Sequence, residues 1–310
     1  MSRTLLIGVD HGYSNMKSRN CCFPSGVIPQ FHRPYTLQDV LEFDGKYYVT
    51  GSGRLPLLKD KTATEDYYLL TLAALAREIE YRHEDRTAQI HLAAGLPLTS
   101  IDREKIPFYH YLLRDRKPVA FRFEDESYTL TITAVNLFPQ GYAGAVLRNE
   151  YKDEPSILVA DIGGWTVDVM RVDNKKPVKA SFHSKEIGIL RCMDNIKESV
   201  RSTLGLSPTT AQIESFMRSG ISSLDNLARQ IIYDEALRYV RDVIAEITVG
   251  GQDIRAVPVV FMGGGASLIR RFLPLCESRM RFVVMDDIRL NAIGYEHMAH
   301  TVRRKAGNNV

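Results

Sequence analysis

Cysteine is scarce in this sequence of 310 residues: there are four, Cys21, Cys22, Cys192 and Cys276, and the first two are adjacent. Adjacent cysteines bridge only under strain, and the four form no metal-ligand spacing. A disulfide framework and a cysteine zinc site are therefore not expected, and reduced thiols in a cytoplasmic protein are. No apolar run approaches the roughly 20 residues that cross a bilayer. The start is unlike a leader peptide, because Leu5-Leu6-Ile7 follows a single basic residue, Arg3, and soon meets Asp10. No membrane segment is expected. Charge of one sign is lacking too: 40 Lys and Arg face 37 Asp and Glu, a net charge of +3. That balance gives no electrostatic case for direct contact with nucleic acid. The eight histidines show no ligand spacing. G-x-x-x-x-G-K-S/T is absent, which excludes a P-loop. Gly8 and Gly12 lack the third glycine and the later acid of a dinucleotide fingerprint.

What is present is the balance of a globular protein, 45% hydrophobic and 25% charged residues, on a chain long enough for two domains. Thr4 to Val9 predicts a buried strand, Asn15 to Cys22 a second one broken by Phe23-Pro24-Ser25-Gly26, and Phe43 to Val49 a hairpin around Asp44-Gly45. Leu69, Leu72, Ala73, Ala76 and Ile79 have helical spacing within Tyr67 to Tyr81. Ile90 to Ala94, Val119 to Phe123 and Tyr128 to Val135 predict strands, and Gly141 to Asn149 a helix start. A polar break at 151–155 suggests a hinge. Beyond it, strands are expected at Ile157 to Ala160, Val167 to Val172, Val257 to Met262 and Phe282 to Met285. Helices are expected at Leu190 to Leu204, Leu224 to Ile247 and Asn291 to Thr301, with a frayed basic tail at Arg303-Arg304-Lys305.

One unit occurs twice, near residue 10 and near residue 161: an apolar strand, an Asp-x-Gly turn and a returning strand. A duplicated domain with a cleft between the halves explains it most simply. In the first copy, Gly12 lets backbone N–H groups approach a phosphate. Asp10 can hold a magnesium ion or its water, Lys17 can reach back from the returning strand, and Asn15 offers an amide donor. A plain hairpin is the alternative. In the second copy, Gly163 and Gly164 can wrap phosphate oxygens, Thr166 adds a hydroxyl and Asp161 a second carboxylate. The alternative there is that Thr166 and Asp168 satisfy their own hairpin, with Trp165 a packing residue. Gly263, Gly264 and Gly265 follow a buried strand and precede a helix expected from about Ser267. They permit close approach of an α-phosphate or ribose, with the helix N-terminus adding a favourable field. Gln140, in Pro139-Gln140-Gly141-Tyr142-Ala143-Gly144, could orient an attacking water if buried at a helix start, or could simply cap it.

The ordered set of Asp10-x-Gly12…Lys17, Pro139-Gln140-Gly141-Tyr142-Ala143-Gly144, Asp161-Ile162-Gly163-Gly164-Trp165-Thr166-Val167-Asp168 and Gly263-Gly264-Gly265-Ala266 resembles the actin and heat-shock ATPase superfamily. Within it the chain is most similar to the plasmid-segregating bacterial actins of the ParM/StbA type and their archaeal and phage relatives. Phe23-Pro24-Ser25, Ala94-Gly95-Leu96-Pro97, Glu186-Ile187-Gly188 and Asn291-Ala292-Ile293-Gly294-Tyr295 add to the likeness, which runs from about residue 4 to residue 300. It implies an α/β, actin-like (ribonuclease H-like) pair of duplicated domains around a nucleotide cleft. The expected division is residues 1–155 with 291–310, and 156–290.

The resemblance also implies roles. Asp10 and Asp161 would hold magnesium and its waters, and with Gln140 they would form the catalytic set. Gly12, Tyr13, Ser14, Asn15 and Lys17 would form the first phosphate hairpin, and Gly163, Gly164, Trp165 and Thr166 the second. Gly263 to Gly265 would face the adenosine. Many relatives carry Ser where this chain has Tyr13, so that hydroxyl contact to the γ-phosphate is not implied. ATP with Mg2+ is the expected cofactor pair, with GTP left open because the residues that pack the base cannot be placed. The expected partners are copies of the chain, assembled into cytoplasmic filaments for plasmid or DNA segregation, and a DNA-bound adaptor protein. A small-molecule kinase or exopolyphosphatase of the same fold is the rival reading.

Overall fold

The computed structural model describes residues 4–56, 60–147, 151 and 153–307. They fall into two compact units, Met1–Leu147 with Arg289–Val310, and Arg148–Ile288. Arg3, Arg148, Asn149 and Lys152, which figure in the sequence expectations, lie outside the described residues.

The first unit begins with β1 (Thr4–His11) and the short strands β2 (Asn15–Ser18) and β3 (Cys22–Pro24). It continues through β4 (Val27–Gln30), β5 (Val40–Phe43), β6 (Lys46–Thr50), helix α1 (Asp66–Arg82) and β7 (Thr87–Leu96). Helix α2 (Ile101–Leu113), β8 (Val119–Phe123), β9 (Glu126–Pro139) and the one-turn helix α3 (Tyr142–Ala145) complete this part. The strands form one nine-stranded sheet in the order β3-β2-β1-β7-β9-β8-β5-β6-β4. β1 pairs antiparallel with β2 and parallel with β7. The β5–β6 hairpin turns at Asp44-Gly45, whose φ values of 50° and 70° suit a tight primed turn. Expected as one strand, Asn15 to Cys22 is instead a second tight hairpin, with Lys17 opposite Cys22. Glu78 of α1 holds its tip, accepting from the Asn20 backbone N–H at 2.6 Å.

α1 buries the face the spacing predicts, including Leu69, Leu72, Ala73, Ala76 and Ile79, against the sheet. The C-terminal helix, Leu290–Gly307, is longer than expected and takes Arg303 to Lys305 into its last turns. It packs unusually close to the first unit's sheet: a Cβ on Gly8 would come within 2.1 Å of the Ala292 carbonyl, and one on Gly95 within 2.1 Å of the Tyr295 ring.

The second unit consists of β10 (Ser156–Ile162), β11 (Val167–Asp173), β12 (Lys176–Pro177), β13 (His183–Lys185) and α4 (Ile189–Leu204). After these come α5 (Thr210–Ser219), α6 (Asn226–Ile247), β14 (Val259–Met262), α7 (Ala266–Ile269), α8 (Leu273–Cys276) and β15 (Phe282–Val284). Its sheet runs β12-β11-β10-β14-β15, with β13 also on β11. Here β10 pairs antiparallel with β11 and parallel with β14, the same arrangement as β1 between β2 and β7. The core is the sheet against α4 and α6, with Ile196, Val200, Ile232, Val240 and Val243 fully enclosed.

Candidate functional site

Each unit places a buried aspartate at the end of its first strand. In the first unit, Asp10 stands opposite Lys17 across the β1–β2 ladder, and the Lys17 ammonium meets its carboxylate at 3.0 Å. Asp10 is 2% exposed, so the pair holds charge where water cannot screen it well. Gly12 follows at the turn. A Cβ there would lie 2.5 Å from the Asn15 carbonyl and 3.1 Å from Lys17 Nζ, so only glycine leaves the tip open. Tyr13, Ser14 and Asn15 are half-buried, and the Asn15 amide donates to Ser14 Oγ at 3.3 Å. Burial and the Lys61 ammonium push the His11 imidazole down to about 3, so it is neutral at physiological pH.

In the second unit, Asp161 stands opposite Asp168 across β10–β11 and is also 2% exposed. The Gly163 N–H closes the turn onto the Thr166 carbonyl at 2.9 Å. The Thr166 hydroxyl donates to Asp168 at 3.0 Å. Trp165 is half-buried, and its carbonyl accepts from the Gly188 N–H at 2.7 Å. The first turn of α4 is committed to the same hairpin, with Ile189 N–H on the Gly163 carbonyl and Leu190 N–H on the Gly164 carbonyl, both at 3.0 Å. Those amides lock the turn and are not spare anion donors.

The triple glycine lies against this hairpin. β14 runs parallel to β10 with Met262 opposite Asp161, which puts the turn beside the aspartate at the carboxyl ends of two parallel strands. That is where open α/β sheets place ligands. Gly263 has φ +88°, and a Cβ there would come within 2.3 Å of Asp161 Oδ1 and 2.6 Å of the Ile162 carbonyl; Gly264 has nothing within 4 Å. Gly263→Ala is therefore expected to cost at least about 1–2 kcal/mol and Gly264→Ala much less, compared by chemical denaturation. Equal costs would remove the steric argument.

Two expectations need correction. The helix after the triple glycine, α7, is a single turn from Ala266 to Ile269, too short for the helix field expected from Ser267 onward. Gln140 is half-buried rather than buried. It sits in the turn after β9, with its N–H on the Leu96 carbonyl at 2.9 Å, ahead of the one-turn α3. Asn291 of the C-terminal helix fixes that turn by accepting from Gly141 N–H at 2.9 Å.

Sequence reasoning missed two side chains at the first hairpin. Lys61 contacts it from a loop far away in sequence, with no motif to announce it. Ser25 stands in the Phe23-Pro24-Ser25-Gly26 break and in the family likeness, and neither gives it a role at this hairpin. Among the described residues, no three His, Cys, Asp or Glu side chains gather to hold a metal ion, and no described helix is long and apolar enough to cross a membrane.

Repeated hairpins, each with a strand-end aspartate and flanked by a parallel strand, define an actin-like fold. Residues 8–142 match the family model described as "Actin like proteins N terminal domain". No curated protein sequence matches the chain. Among solved structures, the apo ParM protein of pSK41 is 18% identical, with 98% of this chain and 99% of that one covered and a TM-score of 0.73. An archaeal actin homologue in complex with ADP is 20% identical over 96% of this chain and 100% of its own, with a TM-score of 0.73. The protein of a 15-stranded ParM filament from Clostridium botulinum is 21% identical over 96% and 99%, with a TM-score of 0.72. At these identities the likeness is one of fold, and the fold is that of the ParM-type actins.

Proposed function

We propose that the chain binds and hydrolyses ATP with magnesium, polymerises into cytoplasmic filaments, and serves plasmid or DNA segregation with a DNA-bound adaptor as partner. The observation that carries this reading is the repeated hairpin: in both units an aspartate 2% exposed closes a strand held antiparallel on one side and parallel on the other. The glycine at the first turn and the glycine beside the second aspartate leave cradles that a Cβ would fill, which suits a polyphosphate approaching the backbone.

In this reading Asp10 and Asp161 would hold a magnesium ion and its waters, which would supply neutralising charge to the phosphates. Gly12, Tyr13, Ser14, Asn15 and Lys17 form the first phosphate hairpin, and Gly163, Gly164, Trp165 and Thr166 the second. Gly263 to Gly265 make room for the nucleoside. Gln140 orients the attacking water. Filaments follow if the contacts between copies are head-to-tail, because heterologous contacts that do not close give open polymers. A solved relative in complex with ADP and a solved relative assembled as a filament support the reading.

Light scattering of the purified chain with ATP and magnesium is expected to rise above a critical protein concentration, with the protein appearing in the pellet on centrifugation. A sample that stays monomeric at tens of micromolar would defeat the filament proposal. Phosphate release that requires an added sugar or polyphosphate would move the chain to the kinases or phosphatases of this fold.

A further inference from the structure

The first hairpin is held from outside by two residues on its carbonyl side. The Lys61 ammonium donates to the His11 carbonyl at 2.5 Å. Ser25 donates twice, through its hydroxyl to the Gly12 carbonyl at 2.6 Å and through its N–H to the Ser14 carbonyl at 3.0 Å. Both are buried, Lys61 at 6% and Ser25 at 1% exposure. Burial of an ammonium is costly, yet this one is seated between two aromatic faces, 4.9 Å from the Tyr13 ring centre and 5.4 Å from that of Tyr67.

The bonds matter because a peptide group is planar, and in its trans form the C=O and N–H point in opposite directions. Fixing the His11 carbonyl on Lys61 therefore fixes the Gly12 N–H on the far side. Fixing the Gly12 carbonyl on Ser25 does the same for the Tyr13 N–H. Two consecutive donors at the glycine tip are thus aimed by side chains that need not touch a ligand themselves. Glycine makes the clamps necessary, since its backbone would otherwise sample both signs of φ.

We propose that Lys61 and Ser25 are positioning residues that orient the Gly12 and Tyr13 amides towards the terminal phosphate of a nucleoside triphosphate. The proposal rests on the nucleotide reading above and adds that this hairpin discriminates triphosphate from diphosphate. Lys61 also ties that discrimination to the loop that leads into α1.

The test is calorimetric titration of the full-length chain with a non-hydrolysable ATP analogue and with ADP, each with magnesium, for the wild type, Lys61→Met, Lys61→Arg and Ser25→Ala. Melting curves establish which variants fold. Lys61→Met and Ser25→Ala are each expected to weaken the triphosphate analogue about tenfold while ADP changes by less than about threefold. Lys61→Arg, which keeps a cationic donor, should recover part of the loss. A merely structural role would lower the melting temperature and leave the triphosphate-to-diphosphate ratio where it was; an unchanged ratio overturns the proposal. If Lys61→Met does not fold, the ratio in Ser25→Ala, which removes one hydroxyl, decides. A wild-type chain that binds neither nucleotide overturns the nucleotide reading itself, and the two failures are told apart by that control.

Discussion

Asp161→Asn is expected to lower phosphate release from ATP by on the order of 100-fold or more, while the variant still folds. The carboxylate is buried at the end of β10, beside a glycine whose missing Cβ leaves Asp161 Oδ1 its room. A buried charge at such a point contributes far more than one in water. Asparagine keeps the volume and removes the charge, so packing is preserved and the loss reports electrostatics. The measurement is steady-state phosphate release at saturating nucleotide, with a circular-dichroism melt as the folding control. Turnover within tenfold of the wild type would take Asp161 out of the catalytic set. In the same assay Gln140→Ala should reduce turnover and leave nucleotide affinity intact, because positioning of water, and not binding, is its proposed contribution.

The largest effect on stability is expected at Glu78. Its carboxylate, fully buried on α1, accepts from the Asn20 N–H and side-chain amide at 2.6 and 3.0 Å, and from Arg82 Nε at 2.6 Å. Arg82 then reaches Glu296 of the C-terminal helix at 2.9 Å and the Leu6 carbonyl at 2.9 Å. Glu296 also takes Arg19 at 2.9 Å and the Gly8 N–H at 3.2 Å. One network therefore joins β1, the β2–β3 turn, α1 and the C-terminal helix. Glu78→Ala leaves Arg82 with a single carboxylate and the Asn20 N–H without its acceptor, at a cost of about 3–5 kcal/mol, read as a lower urea midpoint. A change below about 1 kcal/mol would show that the network contributes little.

The same residue sets a pH dependence. Burial acts to raise the Glu78 carboxyl, but hydrogen bonds from Ser18 and Asn20 and the Arg82 guanidinium outweigh it and hold the group below its ordinary value. A carboxylate depressed in the folded state stabilises it above the unfolded pKa, about 4.3, and that contribution is lost as pH falls through the folded value. Glu78→Ala should therefore flatten the acid side of the stability profile as well as lower its plateau.

Local chemistry made several elements legible. Asp44-Gly45 announced its hairpin because few other pairs take positive φ at both positions so cheaply. The α1 stripe announced its helix because its apolar residues recur at helical spacing. Other elements gave weak signals. The predicted segments leave α2 out; Pro107 interrupts its pattern, and only Phe108, Leu112 and Leu113 of the helix are buried. α5 was also missed, although Thr209 and Gln212 form a capping box at its start; only Ile213, Phe216 and Met217 of it are buried. The Asn15 to Cys22 segment looked like one strand because Ser18-Arg19-Asn20-Cys21 holds neither glycine nor proline. Its turn is held by Glu78, which lies 58 residues further along the chain from Asn20.

By itself, the sequence determined the strand-end aspartates, the glycines at their turns and their repetition half a chain apart, because each is a matter of residue type over a few positions. Only the tertiary structure decided what surrounds them: Lys61 and Ser25 on the first hairpin, the N-terminus of α4 locked onto the second, and Gly263 against Asp161. Contacts of that kind join residues far apart in the chain, and they form only when the sheets bring their strands into register.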